Sequence, residues 1–312
     1  MVNMVGHSIG NYNEHRHLIM KNYHVAFFLV LTASCHNPAK EIKKYDYCYS
    51  NRSGVFVVSK TDKQDVRIKV NGSDVSLSPD GTELAYSDYG APNQERRIGL
   101  MNLGTKQITI LDSNCHNCYG PVWSPDGKYL AYNAFTDNGW SIKYVVKENG
   151  HPVMLAKSVS MNDDKFSPTW SADSKKIVLH DMQALYMLDL NGAIIKTIPF
   201  KELDTTFSPS SDTHIRLSKN EDKIFFETQV YEDPGDGEPP SAIFVYDLMA
   251  RKSTRISPKG YNCFHPVIKG DTIFCSGTKG SSRRVDIYSM DFNGGHFNVA
   301  FKNRMEVSFR LF

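Results

Sequence analysis

The sequence lacks a long apolar run: its strongest, Val25-Ala26-Phe27-Phe28-Leu29-Val30-Leu31, is too short to span a bilayer. It also lacks an excess of one charge. Against 34 Asp and Glu stand 36 Lys and Arg, for a net charge of +2, and no basic stripe interleaved with aromatics runs along the chain. Nucleic acid is therefore not an expected partner. Three signatures of common enzymes are missing as well: Gly-x-Ser-x-Gly, a Gly-rich phosphate loop opening a helix, and His-Glu-x-x-His. Their absence removes the familiar hydrolases, nucleotide enzymes and zinc peptidases, and tilts the reading away from an enzyme.

What the chain has is a repeat. The stretch Val122-Trp123-Ser124-Pro125-Asp126-Gly127-Lys128-Tyr129-Leu130-Ala131-Tyr132 reads as two short strands joined by a Ser-Pro-Asp-Gly turn. Proline presets φ for the second turn position, and glycine relieves crowding at the fourth. Equivalent stretches start near Ser76, Thr169, Arg216 and, with a trimmed turn, Pro266; the turn positions Asp80, Asp126, Asp173 and Asn220 lie 46, 47 and 47 residues apart. Each copy leads into a third and a fourth apolar strand, as in Leu185-Tyr186-Met187-Leu188 and Ile194-Ile195-Lys196. Four short strands at this period make a β-propeller blade. Five complete blades fill residues 72–303. The remnants Tyr45–Val70 and Glu306–Arg310 complement each other, so the C-terminal strand is expected to close a sixth blade begun at the N-terminus, leaving no open sheet edge. The expected fold is all-β: six four-stranded antiparallel blades over residues 45–312.

The Trp-Ser-Pro-Asp-Gly-Lys-x-Leu-Ala-Tyr unit resembles the repeat of TolB-type six-bladed propellers, and the resemblance covers residues 45–312. Similar repeats occur in the propellers of prolyl-oligopeptidase-like enzymes and in oligogalacturonate lyases. The chain leaves no room for the N-terminal domain that TolB carries, nor for a peptidase's hydrolase domain. The resemblance implies a non-enzymatic binding scaffold, a monomer docking an envelope protein, peptide or glycan. The alternative it implies is a metal-dependent polysaccharide lyase or other sugar-active enzyme.

Residues 1–34 read as a signal peptide, with Met20-Lys21 as a conventional start and residues 1–19 as an over-called extension. Thr32-Ala33-Ser34-Cys35 resembles the lipobox of bacterial lipoproteins, with Thr32 in place of the usual Leu. This implies lipidation of Cys35, a tether over residues 35–44, and a lipoprotein anchored to a membrane of the bacterial cell envelope, facing the periplasm or the exterior.

Cys115-His116-Asn117-Cys118 admits a local disulfide, a redox pair, half a zinc site or free thiols. No second ligand pair follows it, and export favours a structural disulfide between Cys115 and Cys118. Cys48 and Cys275 fall on second strands as buried apolar residues, and Cys263 has no assigned role. Asp80, Asp126 and Asp173 belong to turn geometry rather than catalysis. The insertion Glu232-Asp233-Pro234-Gly235-Asp236-Gly237-Glu238-Pro239-Pro240 reads as a surface loop without calcium-site spacing.

Superposing the copies yields one functional candidate. The residue three before each Trp-equivalent starts an innermost strand, at one mouth of the central channel. Those residues are Asp74, Gly120, Ser167, His214, His265 and Glu306. Blades four, five, six and one thus present His214, His265, Glu306 and Asp74 around one opening. Two imidazoles and two carboxylates suit a divalent cation, with His214 and His265 as ligands, or acid–base work. Oligogalacturonate lyases, which this repeat resembles, hold a metal on channel-facing histidines. Without such a metal, no cofactor is expected.

Overall fold

The computed structural model describes residues 43–90, 95–112, 115, 117–148, 152–154, 164–203, 207–231 and 239–310. The signal-like segment, Cys35, His116 and residues 232–238 of the insertion lie outside them. Among the described residues no helix is long and apolar enough to cross a membrane.

Strands β1 (Tyr47–Asn51), β2 (Gly54–Val58) and β3 (Asp65–Ile68) come first. Blade one holds β4 (Gly72–Leu77), β5 (Glu83–Asp88), β6 (Arg97–Asn102) and β7 (Ile108–Leu111). Blade two holds β8 (Cys118–Trp123), β9 (Tyr129–Thr136), β10 (Gly139–Val146) and β11 (Pro152–Met154). Blade three runs β12 (Phe166–Trp170), β13 (Lys176–His180), β14 (Ala184–Asp189) and β15 (Ile194–Pro199), followed by the single turn α1 (Phe200–Leu203). Blade four runs β16 (Ile215–Leu217), β17 (Lys223–Gln229), β18 (Ser241–Asp247) and β19 (Lys252–Arg255). Blade five runs β20 (Tyr261–Lys269), β21 (Thr272–Lys279), β22 (Asp286–Asp291) and β23 (Asn298–Phe301). The last strand, β24 (Met305–Phe309), pairs antiparallel with β1, giving blade six the order β24-β1-β2-β3. The sixth blade is thus closed by the two ends of the described chain, and all six sheets have four antiparallel strands.

Turn chemistry makes each inner hairpin self-sufficient. Ser78, Ser124 and Ser171 donate to Asp80, Asp126 and Asp173 at 2.6–2.7 Å. The same serine oxygens accept the backbone N–H that opens the next strand, at 2.9 Å. In blade four the carboxylate shifts: Ser218 bonds Asp222 rather than the Asn220 side. Gly81 and Gly127 take the left-handed turn position at φ 75° and 73°, and Ser174 and Glu221 occupy it in the later copies.

The core lies between blades. Cys48, Val55, Val57 and Ile68 of blade six pack against Val75, Leu77, Leu84, Tyr86 and Met101 of blade one. Alternation along each strand sends one face to each neighbouring blade, which is why both faces of the inner strands are apolar. Closure is reinforced outside the ladder. Arg310 pairs with Asp46 at 2.8 Å, and the Arg304 guanidinium lies 4.4 Å from the Tyr49 ring centroid while pairing with Asp65 at 3.0 Å.

Candidate functional site at the channel mouth

The six residues singled out by superposition all line one cavity of about 250 Å³ in the central channel. Their backbone explains their placement. The inner-strand register shifts between Ser73/Ser76, Tyr119/Val122, Phe166/Thr169 and Phe264/Val267, and the closing pair shifts between Cys48 and Ser50. These are β-bulges, which bend a strand and re-aim a side chain. Asp74, Gly120, Ser167, His265 and Glu306 sit in the bulges at φ between 46° and 63°. His214 occupies the equivalent place just ahead of the shorter β16 without a positive φ.

A bulge turns its N–H away from the ladder, so a buried acceptor is needed. A second ring of side chains supplies it. The Gly120 N–H donates to Ser87 Oγ at 3.0 Å, Ser167 to Asn133 Oδ1 at 2.9 Å, and Glu306 to Ser276 Oγ at 3.3 Å. Glu227 serves two blades: Oε1 accepts from the His214 N–H at 3.2 Å, and Oε2 accepts from the His265 N–H. Ser50 donates to Glu306 at 2.9 Å, and the same Glu306 oxygen accepts from the Asp74 N–H. His180 completes the ring by donating from Nε2 to the Thr213 carbonyl at 3.2 Å. All six ring members are buried. Sequence reasoning missed them, although the signal was present. Each is the polar residue directly after the apolar run of a second strand, as in Leu84-Ala85-Tyr86-Ser87 and Ile224-Phe225-Phe226-Glu227.

The charged side of the mouth has two poles. At the first, the His214 and His265 rings lie 4.3 Å apart between centroids. His265 Nε2 donates to Asp212 Oδ2 at 3.2 Å, and His214 Nδ1 lies 3.6 Å from Glu227 Oε1. Donor atoms of Asp212, His214 and His265 all fall within 4.8 Å of one another. Asp212 was not singled out in the sequence; only its place two residues before His214 marks it. At the second pole, Asp74 Oδ2 accepts from Ser87 at 2.5 Å, beside Glu306. Asp74 and Glu306 share the cavity but stand outside that three-residue donor group.

Burial and charge act against each other here. Burial by itself would lower His265, but the bond to Asp212 and the charges of Glu227, Asp212 and Glu306 hold it up at about 9. Burial would raise Glu227, yet its bond with His214 and the two imidazoles bring it below its ordinary value. Asp212 is lowered in the same way: the His265 bond outweighs desolvation. Glu306 moves up, pushed by burial and by the Asp74 charge. Deeper in the channel Arg216 is lowered to about 10 by burial. The first pole thus pairs a charged His265 with carboxylates, and at the second the Glu306 carboxyl stands above its ordinary value.

Once His265 gives up its proton, two imidazole nitrogens and one carboxylate oxygen suit a divalent ion such as zinc or manganese, and the exposed Asp212 leaves open positions for further ligands. Elsewhere, Cys115 and Cys118 are joined by a disulfide, while Cys48, Cys263 and Cys275 are buried free thiols.

No family model matches the chain, and no curated protein matches it by sequence. Solved structures do match by fold. TolB from Acinetobacter baumannii is 15% identical, with 85% of this chain aligned to 66% of that chain at a TM-score of 0.61. Putative TolB from Agrobacterium tumefaciens is 17% identical over 85% of this chain and 92% of that chain, at a TM-score of 0.57. An oligogalacturonate lyase in complex with manganese is 11% identical over 80% and 70%, at 0.52. The chain therefore has the TolB-type six-bladed propeller fold, and at these identities the likeness extends to fold alone.

Proposed function

We propose that the protein is a non-enzymatic binding propeller of the bacterial cell envelope, exported and held at a membrane through Cys35, whose channel mouth docks a partner. One observation carries this reading: departure from the repeat is concentrated at the mouth. There, charged side chains of four consecutive blades converge on one cavity, whereas the opposite rim repeats turns that satisfy their own polar groups. A rigid scaffold with variable residues at one end is the usual arrangement of a binding surface. The TolB-type fold supports a protein or peptide as the partner. A photo-crosslinking residue placed at Asp212, on the mouth, should capture that partner from intact envelope, and one at Lys128, on the opposite rim, should not. Equal capture at both positions would overturn the reading.

The donor triad favours a second reading, a metal-dependent sugar-active enzyme. Asp212, His214 and His265 would hold the ion, whose role is to polarise a bound substrate oxygen. Glu306, raised above its ordinary value by burial and the Asp74 charge, would be the proton donor on the same cavity. Titration calorimetry with manganese separates the two: this reading expects binding that the His214→Ala/His265→Ala pair abolishes, with release of unsaturated ends from polygalacturonate. No heat from the wild-type chain would end it.

A further inference from the structure

The disulfide loop Cys115–Cys118 has no part in the mouth cluster, yet it is built around one side chain, Arg96. Asn117, inside the loop, is held at φ 59° and accepts from Arg96 Nε at 2.8 Å. The Cys118 N–H donates to the Arg96 carbonyl at 2.7 Å. The guanidinium lies over the Tyr119 ring, 4.2 Å from its centroid, with the Trp140 ring at 5.8 Å. Among the described residues Arg96 makes no ion pair; its blade-one neighbour Arg97, by contrast, pairs with Asp88 at 3.0 Å. Arg96 therefore presents the terminal edge of its fork, which fits a carboxylate bidentately, from a position fixed by a loop, a ring and a neighbouring blade.

The three rings around it are partly open to solvent, and the Asp164 carboxylate beside them accepts from the Trp140 backbone N–H at 2.7 Å. Trp140 meets Tyr119 edge-on at 83° and Phe135 at 62°, so the three rings form an angled nest rather than a flat shelf. Phe135 is 50% exposed. The ladder pairs Gly72 with Asp88 and Cys118 with Ala134, so the tips between second and third strands share the end of the propeller where the bulges lie. The large aromatics that are exposed among the described residues, Tyr89, Phe135 and Tyr231, lie at or just past the end of a second strand at that end. Tyr119 itself lines the channel cavity, which makes the nest continuous with the mouth.

We infer that Arg96 and the Tyr119–Trp140–Phe135 nest form a docking site for a partner peptide that carries an Asp or Glu side chain next to an aromatic one. The carboxylate takes the free edge of Arg96, and the aromatic group fills the angle between Trp140 and Phe135. An angled nest encloses a side chain, whereas a sugar ring needs a flat exposed face; tryptophan, tyrosine and arginine together are also the residues in which binding energy concentrates. This site rests on the binding reading above and names the chemistry of its partner.

The test uses capped dipeptides and the full chain. Acetyl-Glu-Trp-amide should bind saturably, shifting the Trp140 indole and Arg96 Nε–H resonances, and acetyl-Gln-Trp-amide about tenfold more weakly. Arg96→Ala should lose about tenfold for the Glu peptide and nothing for the Gln peptide, erasing the preference. Arg96→Lys, which keeps the charge, should lose part of it. Lys128→Ala, on the opposite rim, should leave peptide binding unchanged. Equal affinity of wild type and Arg96→Ala for the Glu peptide would overturn the site. So would stronger binding of digalacturonate than of the peptide, which would make the nest a sugar platform. Partner capture from Asp212 that persists in Arg96→Ala would sink this inference while leaving the binding reading standing; peptide binding without any capture from Asp212 would do the reverse.

Discussion

The two halves of the channel mouth share one strand plan and differ chiefly in what fills it. On blades two and three the bulge residues are Gly120 and Ser167, held by Ser87 and Asn133. On blades four and five the equivalent residues are His214, which precedes its strand without a bulge, and His265, which sits in one; the single carboxylate of Glu227 holds both. The neutral half satisfies each orphan N–H with its own acceptor. The charged half shares one acceptor between two blades and sets two imidazoles beside the same carboxylate. The comparison shows how a symmetric ring acquires a site: the acceptor slot stays, and chiefly the chemistry in the slot changes. It also shows the cost, because the charged half concentrates its dependence on one buried group.

The sharpest way to break the comparison is to empty the two kinds of slot. Glu227→Ala strands two N–H groups and an imidazolium in a buried wall and should destabilise by about 4 kcal/mol in denaturant unfolding. Asn133→Ala strands one N–H and should lose about 1–2 kcal/mol. Equal losses would mean that Glu227 is not shared.

His180, the ring member at the border of the halves, gives the next largest effect. It is buried as a neutral imidazole, donating from Nε2 to Thr213 and accepting at Nδ1 from the Met182 N–H at 3.3 Å. Burial lowers it to about 4, outweighing the Thr213 bond. Because the unfolded chain takes up its proton near 6.5 and the folded one only near 4, stability present above pH 6.5 is lost as pH falls through that window. The loss attributable to His180 is about 3 kcal/mol, and His180→Gln should remove that part of the slope. An unchanged slope between pH 6.5 and 4 would contradict a neutral His180.

The smallest effects probe whether the backbone is common to both halves. Gly120→Ala keeps φ 63° but adds a Cβ that meets Asn133 Nδ2 at 2.8 Å, and should lose about 1 kcal/mol. Ser167→His places an imidazole where its counterparts already sit and should stay within about 0.5 kcal/mol of wild type. A large loss there would show that the halves differ in backbone as well as in side chain.

The blades were legible because turn chemistry and alternation recur along the chain at a near-fixed period, and that period also placed Asp74, Gly120, Ser167, His214, His265 and Glu306 at one opening. The second ring was not legible, because its bonds run across blades. Ser87 meets Gly120 33 residues later, and Glu227 meets His265 38 residues later. A serine ending an apolar run looks like any strand end until the next blade is laid against it. Asp212 hid in the segment between blades, outside the repeat. Arg96 was equally silent, since its setting comes from rings and a loop contributed by the following blade.

The pairing of β24 with β1 has a temporal consequence. Glu306 lies on the last of the described strands, so until β24 pairs with β1 the ring lacks one wall of its mouth. The carboxylate that takes the Asp74 N–H arrives only when the two ends meet. The complete mouth is therefore a mark of the closed ring.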